Sequence, residues 1–274
     1  MSDIVLTPGI RSNLLQLQRT ADLITITQTR LATGKRVNTA LDDPINFFTA
    51  QGLANRSNDL SRLLDAMATG INTIQAADNG ITSITKLVQS AQALVTQAQQ
   101  TTDTTVRANL AAQFNTILGQ IDQLAADSGF NGINLLDQTN SADLTLTLNE
   151  TGTSTVTVTA VDFTAAGDLA INNSANNWAT TTDTQAAATD LSGALTTLRT
   201  QAQKFGSNLS TVQIRQDFTK AMINTLQTGA DNLTLADTNE EGANLLALQT
   251  RQQLSITALS LSSQASQAVL RLFQ

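Results

Sequence analysis

The chain contains no cysteine, no histidine and no tyrosine, and it has two prolines and one tryptophan among its 274 residues. Without cysteine there is no disulfide framework and no thiolate nucleophile. With histidine missing as well, zinc, haem and triad arrangements lose their commonest members. Aromatic residues make up only 3% of the sequence, so a compact globule built around bulky side chains is not what this composition supplies. No apolar run reaches the roughly 18 residues that suggest a membrane-spanning helix. Residues 1–9 lack the basic and apolar regions of a cleaved secretory signal, which suits a cytoplasmic protein or export that reads an uncleaved N-terminus. Glycine-rich phosphate loops, the Gly-x-Gly-x-x-Gly pattern and the Gly-x-Ser-x-Gly elbow are all missing. No cofactor or metal site is expected, and neither is an enzyme.

What is present is charge that has been sorted. The formal net charge is −7, yet residues 1–40 carry +3, residues 246–274 carry +2, and the stretch between them carries −12. Between Arg107 and Arg199 there is no basic residue, against nine acidic ones. Such a segment repels nucleic acid, and the basic residues at the ends are scattered singly, so nucleic-acid binding is not expected.

The two ends carry helical stripes. Leu14, Leu17, Ala21, Ile24, Gln28 and Leu31 recur at spacings of three and four. Near the other end Ala247, Leu254, Leu261 and Ala268 lie seven apart, and Ile256, Leu259, Ser263, Ser266, Leu270 and Phe273 run down a second face, with Leu272 beyond the first. A helix that is apolar on more than one face expects protein on more than one side. A clasp closing a single monomer is one reading of these ends. Burial only when many copies pack together is the other.

Between the ends, Pro8-Gly9 reads as a breaker and Thr33-Gly34 as a helix stop. Residues 35–46 read as an ordered connector, and long helices are expected over 54–99, 104–127 and 187–235. Leu144, Leu146 and Leu148 alternate with polar residues, as do Val156, Val158 and Ala160, which predicts a β-hairpin with one buried face. Residues 164–184, rich in Ala, Asn and Thr, read as an exposed loop containing Trp178, and a deletion of 143–162 is expected to be tolerated. The fold class is mostly α: an elongated antiparallel, coiled-coil-like helical rod with a small β-hairpin insertion and terminal helices paired at one end. The expected division is 1–42 with 238–274 as a terminal-helix domain, 43–140 with 185–237 as the rod, and 141–184 as hairpin and loop.

The pair Asp42 and Asp43 is the nearest approach to a carboxylate site, but two ligands fall far short of what calcium needs. One is expected to cap the helix that follows, and the other to pair with Lys35 or Arg36. Glu240 and Glu241 are expected to favour the N-terminus of the last helix or to meet basic residues of a neighbour.

The run Arg30-Leu31-Ala32-Thr33-Gly34-Lys35-Arg36-Val37-Asn38-Thr39-Ala40-Leu41-Asp42-Asp43 resembles the N-terminal signature of bacterial flagellins. Phe130-Asn131-Gly132 followed by Leu135-Leu136 resembles the turn after that family's third helix, and Asn239 to Leu254 with Gln267 to Phe273 resembles its C-terminal signature. The resemblance covers about 1–140 and 185–274. It implies an exported, extracellular subunit that homopolymerises into the flagellar filament for motility. It also implies a filament cap, hook–filament junction proteins and an export chaperone as partners. The helices at 11–32 and 243–273 would then form the filament's inner layers, with packing by Leu14, Leu17, Ile24, Leu31, Leu254, Leu261, Leu270, Leu272 and Phe273. The alternative is a helical adaptor or tip-type protein of a secretion apparatus.

Overall fold

The computed structural model describes residues 8–272, with the side chains of Ser266 and 269–272 set aside. Leu270, Leu272 and Phe273 therefore lie outside the described residues and side chains. Among the described residues there are five α-helices: α1 (Pro8–Thr33), α2 (Pro44–Gln100), α3 (Thr104–Asp127), α4 (Thr181–Thr234) and α5 (Thr238–Leu272). Two short strands, β1 (Leu144–Thr147) and β2 (Thr155–Val158), complete the regular structure with a single 3-10 turn at Ala175–Trp178. Both prolines open helices rather than breaking them. Proline's fixed φ and missing N–H cost nothing in a helix's first turn, where that donor has no partner anyway.

The chain divides into two compact units, residues 1–55 with 225–274 and residues 56–224. The division falls inside α2 and α4, each of which is a single uninterrupted helix.

The larger unit is built on α2. Ile74, Ala77, Ile81, Ile84, Val88, Ala91, Val95 and Ala98 alternate at three and four residues and are all buried. α4 answers with Leu191, Leu195, Leu198, Phe205 and Val212. Gln99 Nε2 donates to the Thr184 carbonyl at 3.4 Å, so the end of α2 lies beside the start of α4 and the two run antiparallel in this unit. Beyond Val212 the same rhythm runs on through Gln216, Thr219 and Ile223, and Phe218, which the apolar pattern would have placed on the stripe, is 55% exposed. α3 adds Leu110, Phe114, Leu118 and Ile121. Its N-terminus is capped by Asp103, whose Oδ1 accepts from the N–H of Thr105 at 2.8 Å. Arg107 is buried without a carboxylate partner. Its Nε donates to the carbonyls of Ala98 at 3.1 Å and Thr101 at 2.7 Å, which closes the otherwise open C-terminal end of α2.

The hairpin has the expected register, with Leu144 opposite Val158 and Leu146 opposite Val156. Leu144, Leu146, Leu148, Val158 and Ala160 join the same core as the helices. Gly70 of α2 makes the room: a Cβ there would lie 2.5 Å from Leu146 Cδ2. The segment after the hairpin is not the exposed loop that its composition suggests. Phe163, Ala165, Leu169, Ile171 and Trp178 are all buried, and the Trp178 ring packs 5.0 Å from that of Phe114. Asn176, Asn177 and Trp178 take left-handed φ values of 47°, 49° and 56°, which turns the indole inward. Their spacings of two, four, two and seven, with Ala166, Ala170 and Gly167 between them, form neither an unbroken strand alternation nor a helical stripe.

Candidate assembly interface

In the smaller unit, α1 packs along α5. Arg30, in the last turn of α1, places Nη1 3.0 Å from Glu241 Oε1 in the first turn of α5, so the helices run antiparallel. The buried or half-buried positions that form the seam are Ile10, Asn13, Leu17, Thr20, Ile24, Thr27 and Leu31 on α1 and Glu241, Leu245, Leu248, Gln252, Ser255, Leu259 and Ser262 on α5, with Ala21, Arg30 and Gly242 half-buried at its edge. Both sets follow a strict three-four alternation, the signature of a coiled-coil seam.

This seam differs by one position from the stripe read in the sequence. Leu17, Ile24 and Leu31 lie in it and Ala21 is half-buried at its edge, while Thr20 and Thr27 fill the intermediate places and Leu14 and Gln28 are exposed. The Thr20 hydroxyl donates to the Gln16 carbonyl at 2.8 Å, so its polar group is satisfied within the helix and its methyl faces the partner.

On α5 the two stripes separate. Leu259 faces α1, whereas Leu246, Leu254 and Leu261 are 66%, 67% and 65% exposed and lie on the side away from the seam. Ile256 is exposed too, as are Leu15, Leu23 and Ile26 on α1. The pair thus closes on a seam that is half aliphatic and half polar, and leaves a second set of large aliphatic residues outward.

The connector from 34 to 43 is a joint. Gly34 ends α1 at φ +69°, the left-handed value that a helix C-terminus needs. The N–H groups of Arg36 and Val37 both donate to the Thr234 carbonyl, at 2.7 and 3.2 Å, and Ala236 N–H donates to the Gly34 carbonyl at 3.0 Å. Asp43 caps α2: its Oδ1 accepts from Asn46 N–H at 3.1 Å, which holds its carboxyl below the ordinary range.

Asp42 forms no ion pair with Lys35 or Arg36. Its Oδ2 accepts from the N–H of Thr39 at 2.8 Å and of Asn38 at 3.0 Å, and these two bonds, Thr39 first, lower its pKa. Backbone donors on the same loop reach the carboxylate at no cost in side-chain order. The Arg36 guanidinium instead reaches the Leu233 carbonyl at 3.4 Å. The cap of α5 is Asp237, whose Oδ1 accepts from Asn239 N–H at 2.8 Å; Glu240 and Glu241 occupy the first turn behind it. Among the described residues, no group of three or more acidic side chains is arranged to hold a metal ion.

The helices flanking the joint carry the sequence similarity. The family model for the bacterial flagellin N-terminal helical region matches residues 10–141, and that for the bacterial flagellin C-terminal helical region matches 188–273. The chain belongs to the bacterial flagellin family. Flagellin FljK of Caulobacter vibrioides is 31% identical, over 97% of this chain and 96% of its own length. FljO of the same organism is 29% identical over 95% of this chain and 94% of its own, and a flagellin of Brucella melitensis is 26% identical over the whole of both. This flagellin is therefore a structural subunit of the flagellar filament, a secreted, extracellular helical homopolymer that serves motility, and it is not an enzyme. The secretion-tip alternative has nothing in its favour. The unmatched stretch between the two family regions holds the hairpin and the Trp178 segment.

Proposed function

We propose that the outward face of the α1–α5 pair is a surface through which this flagellin meets its neighbours, with residues 1–42 and 238–274 forming the inner layers of the filament. The observation that carries this is the row Leu246, Leu254 and Leu261, unpartnered in the single chain. Burying one leucine contributes about 1.5–3 kcal/mol, so three in each subunit supply a substantial share of an assembly free energy repeated along the polymer. A lone α1 or α5 is marginal in water, and the seam between them is half threonine, serine, asparagine and glutamine. The pair is thus weak enough to open for export and gains its stability in the filament. A tip cap, hook–filament junction proteins and an export chaperone for the C-terminal region are partners of the same kind of surface.

The test is Leu254→Asp and Leu261→Asp, read by circular dichroism and negative-stain microscopy on one sample. Both variants keep the helical content of the monomer, because neither position is covered in it, and both lose filaments, because a buried unpaired carboxylate costs several kcal/mol per copy. Normal filaments from either variant would show that these leucines meet nothing.

A further inference from the structure

A second surface lies within the larger unit. Leu60, Leu148, Phe218, Met222, Arg56 and Arg215 line an open cleft of about 200 Å³. Arg56 is paired with Glu150 of the hairpin turn, but among the described residues Arg215 has no hydrogen-bond or ion-pair partner. The cleft therefore offers an apolar floor and one uncompensated positive charge at its edge. Ile214 and Phe218, one helical turn apart beside Arg215, are 67% and 55% exposed.

The smaller unit carries the complementary shape. Leu41 is 95% exposed in the turn before α2, and Ile45 and Phe48, three residues apart on one face of the first turns of α2, are 80% and 64% exposed. Asp42 sits beside Leu41 with Oδ2 engaged by its own loop, while Oδ1 has no bond. Among the described residues no other large aliphatic side chain is left so bare, and the joint beneath it is tightly clipped, so Leu41 is a held projection and not a loose end.

We propose that Leu41 of one copy seats in the cleft of another copy, with Asp42 facing Arg215 and with Ile45 and Phe48 lying against Ile214 and Phe218. This rests on the filament reading, which supplies the second copy. The two surfaces are different patches of one chain, so the contact is heterologous: each copy offers a knob and a socket, and the contact propagates without closing. The acid beside the knob and the base beside the socket fix which way round the copies meet. The α1–α5 face carries the bulk of the burial, and this contact sets register in the layer built from the larger units.

The absence of native cysteine allows a direct test. A disulfide requires Cα atoms within about 7 Å, so it reports contact and not mere proximity. Leu41→Cys monomers are mixed with Phe218→Cys monomers, grown from wild-type seeds and oxidised; Leu41→Cys with Ile214→Cys is a second pair, and Leu41→Cys with Gln97→Cys is the control. The first two mixtures give covalent dimers in filaments and none in dilute monomer, and the control gives none. In parallel, Arg215→Glu slows seeded elongation at least tenfold with unchanged monomer circular dichroism, and Asp42→Asn, which keeps the acceptor oxygen, slows it less. Filaments that grow normally from Arg215→Glu and show no cross-link above the control would overturn this contact while leaving the filament reading intact. Wild-type monomer that fails to extend its seeds would overturn both.

Discussion

Gly80 is where the packing of α2 against the turn after α3 admits no side chain at all. A Cβ there would lie 2.3 Å from Ser128 Oγ, 2.8 Å from Ser128 Cβ and 2.6 Å from Leu136 Cδ1. Ser128 cannot swing away cheaply, because its hydroxyl donates to the Leu124 carbonyl at 2.6 Å and its backbone closes the end of α3. Gly80→Ala gains about 1 kcal/mol of helix propensity but overpacks a rigid neighbour, a penalty of about 1–3 kcal/mol. The net effect is destabilisation of up to about 2 kcal/mol, or about 2–8 °C in melting temperature for a unit of this size. Gly193 of α4 is the control, since nothing lies within 4 Å of its Cβ position. Gly193→Ala keeps the full propensity gain and stabilises by about 1 kcal/mol. Gly70→Ala falls between them, because the atoms it meets are the far end of the Leu146 side chain. Urea unfolding of the monomer, with the slope unchanged, gives the three values directly. Gly80→Ala as stabilising as Gly193→Ala would refute the claim that α2 and the Ser128 turn are in fixed contact.

Two further outcomes follow from the same core. Deleting 143–162 removes Leu144, Leu146, Leu148, Val158 and Ala160, and at about 2–5 kcal/mol for each large residue this exceeds the stability of an ordinary domain; the deletion yields no cooperatively folded monomer by calorimetry, contrary to the tolerance that a peripheral hairpin would show. Trp178→Ala costs about 3–5 kcal/mol in urea unfolding, where an exposed tryptophan would cost almost nothing. Stability also falls in acid. Asp42, Asp43 and Asp183 are held below the ordinary 3.8, and Glu150 below 4.5, by hydrogen bonds to their carboxylates. A depressed folded-state pKa stabilises above the unfolded value and is lost as pH falls through the folded one. The melting temperature is therefore level from about pH 7 to 5 and drops below about pH 4.5, and Asp43→Asn flattens part of that drop.

Long amphipathic helices were legible in the sequence because each bears one uninterrupted stripe: Ile74 to Ala98 reads the same in the alphabet and in the core. The hairpin was legible for the equivalent reason at a period of two. What could not be read is burial without a period. Phe163, Leu169, Ile171 and Trp178 enter the core from irregular chain among Asn, Ala and Thr, and only the scarcity of large side chains elsewhere hinted at their value. On α1 the seam takes Thr20, which a hydropathy stripe passes over, because a threonine that bonds its own helix packs as an apolar residue while the stripe scores it as polar. At 42–43 the sequence offers Lys35 and Arg36 as partners for Asp42, whereas the loop supplies backbone donors. Arg107 and its carbonyl partners left no sequence signal, since they lie on separate segments.

The central claim is that α1 and α5 are held weakly in the single chain and firmly in the polymer. Hydrogen exchange followed by mass spectrometry, on dilute monomer and on seed-grown filaments of the same preparation, measures this residue by residue. The account predicts that amides of 14–31 and 245–265 exchange fast in the monomer and at least about a hundredfold more slowly in the filament, while those of 74–98 are slow in both. Terminal helices as protected in the monomer as 74–98, or unchanged on assembly, would contradict it.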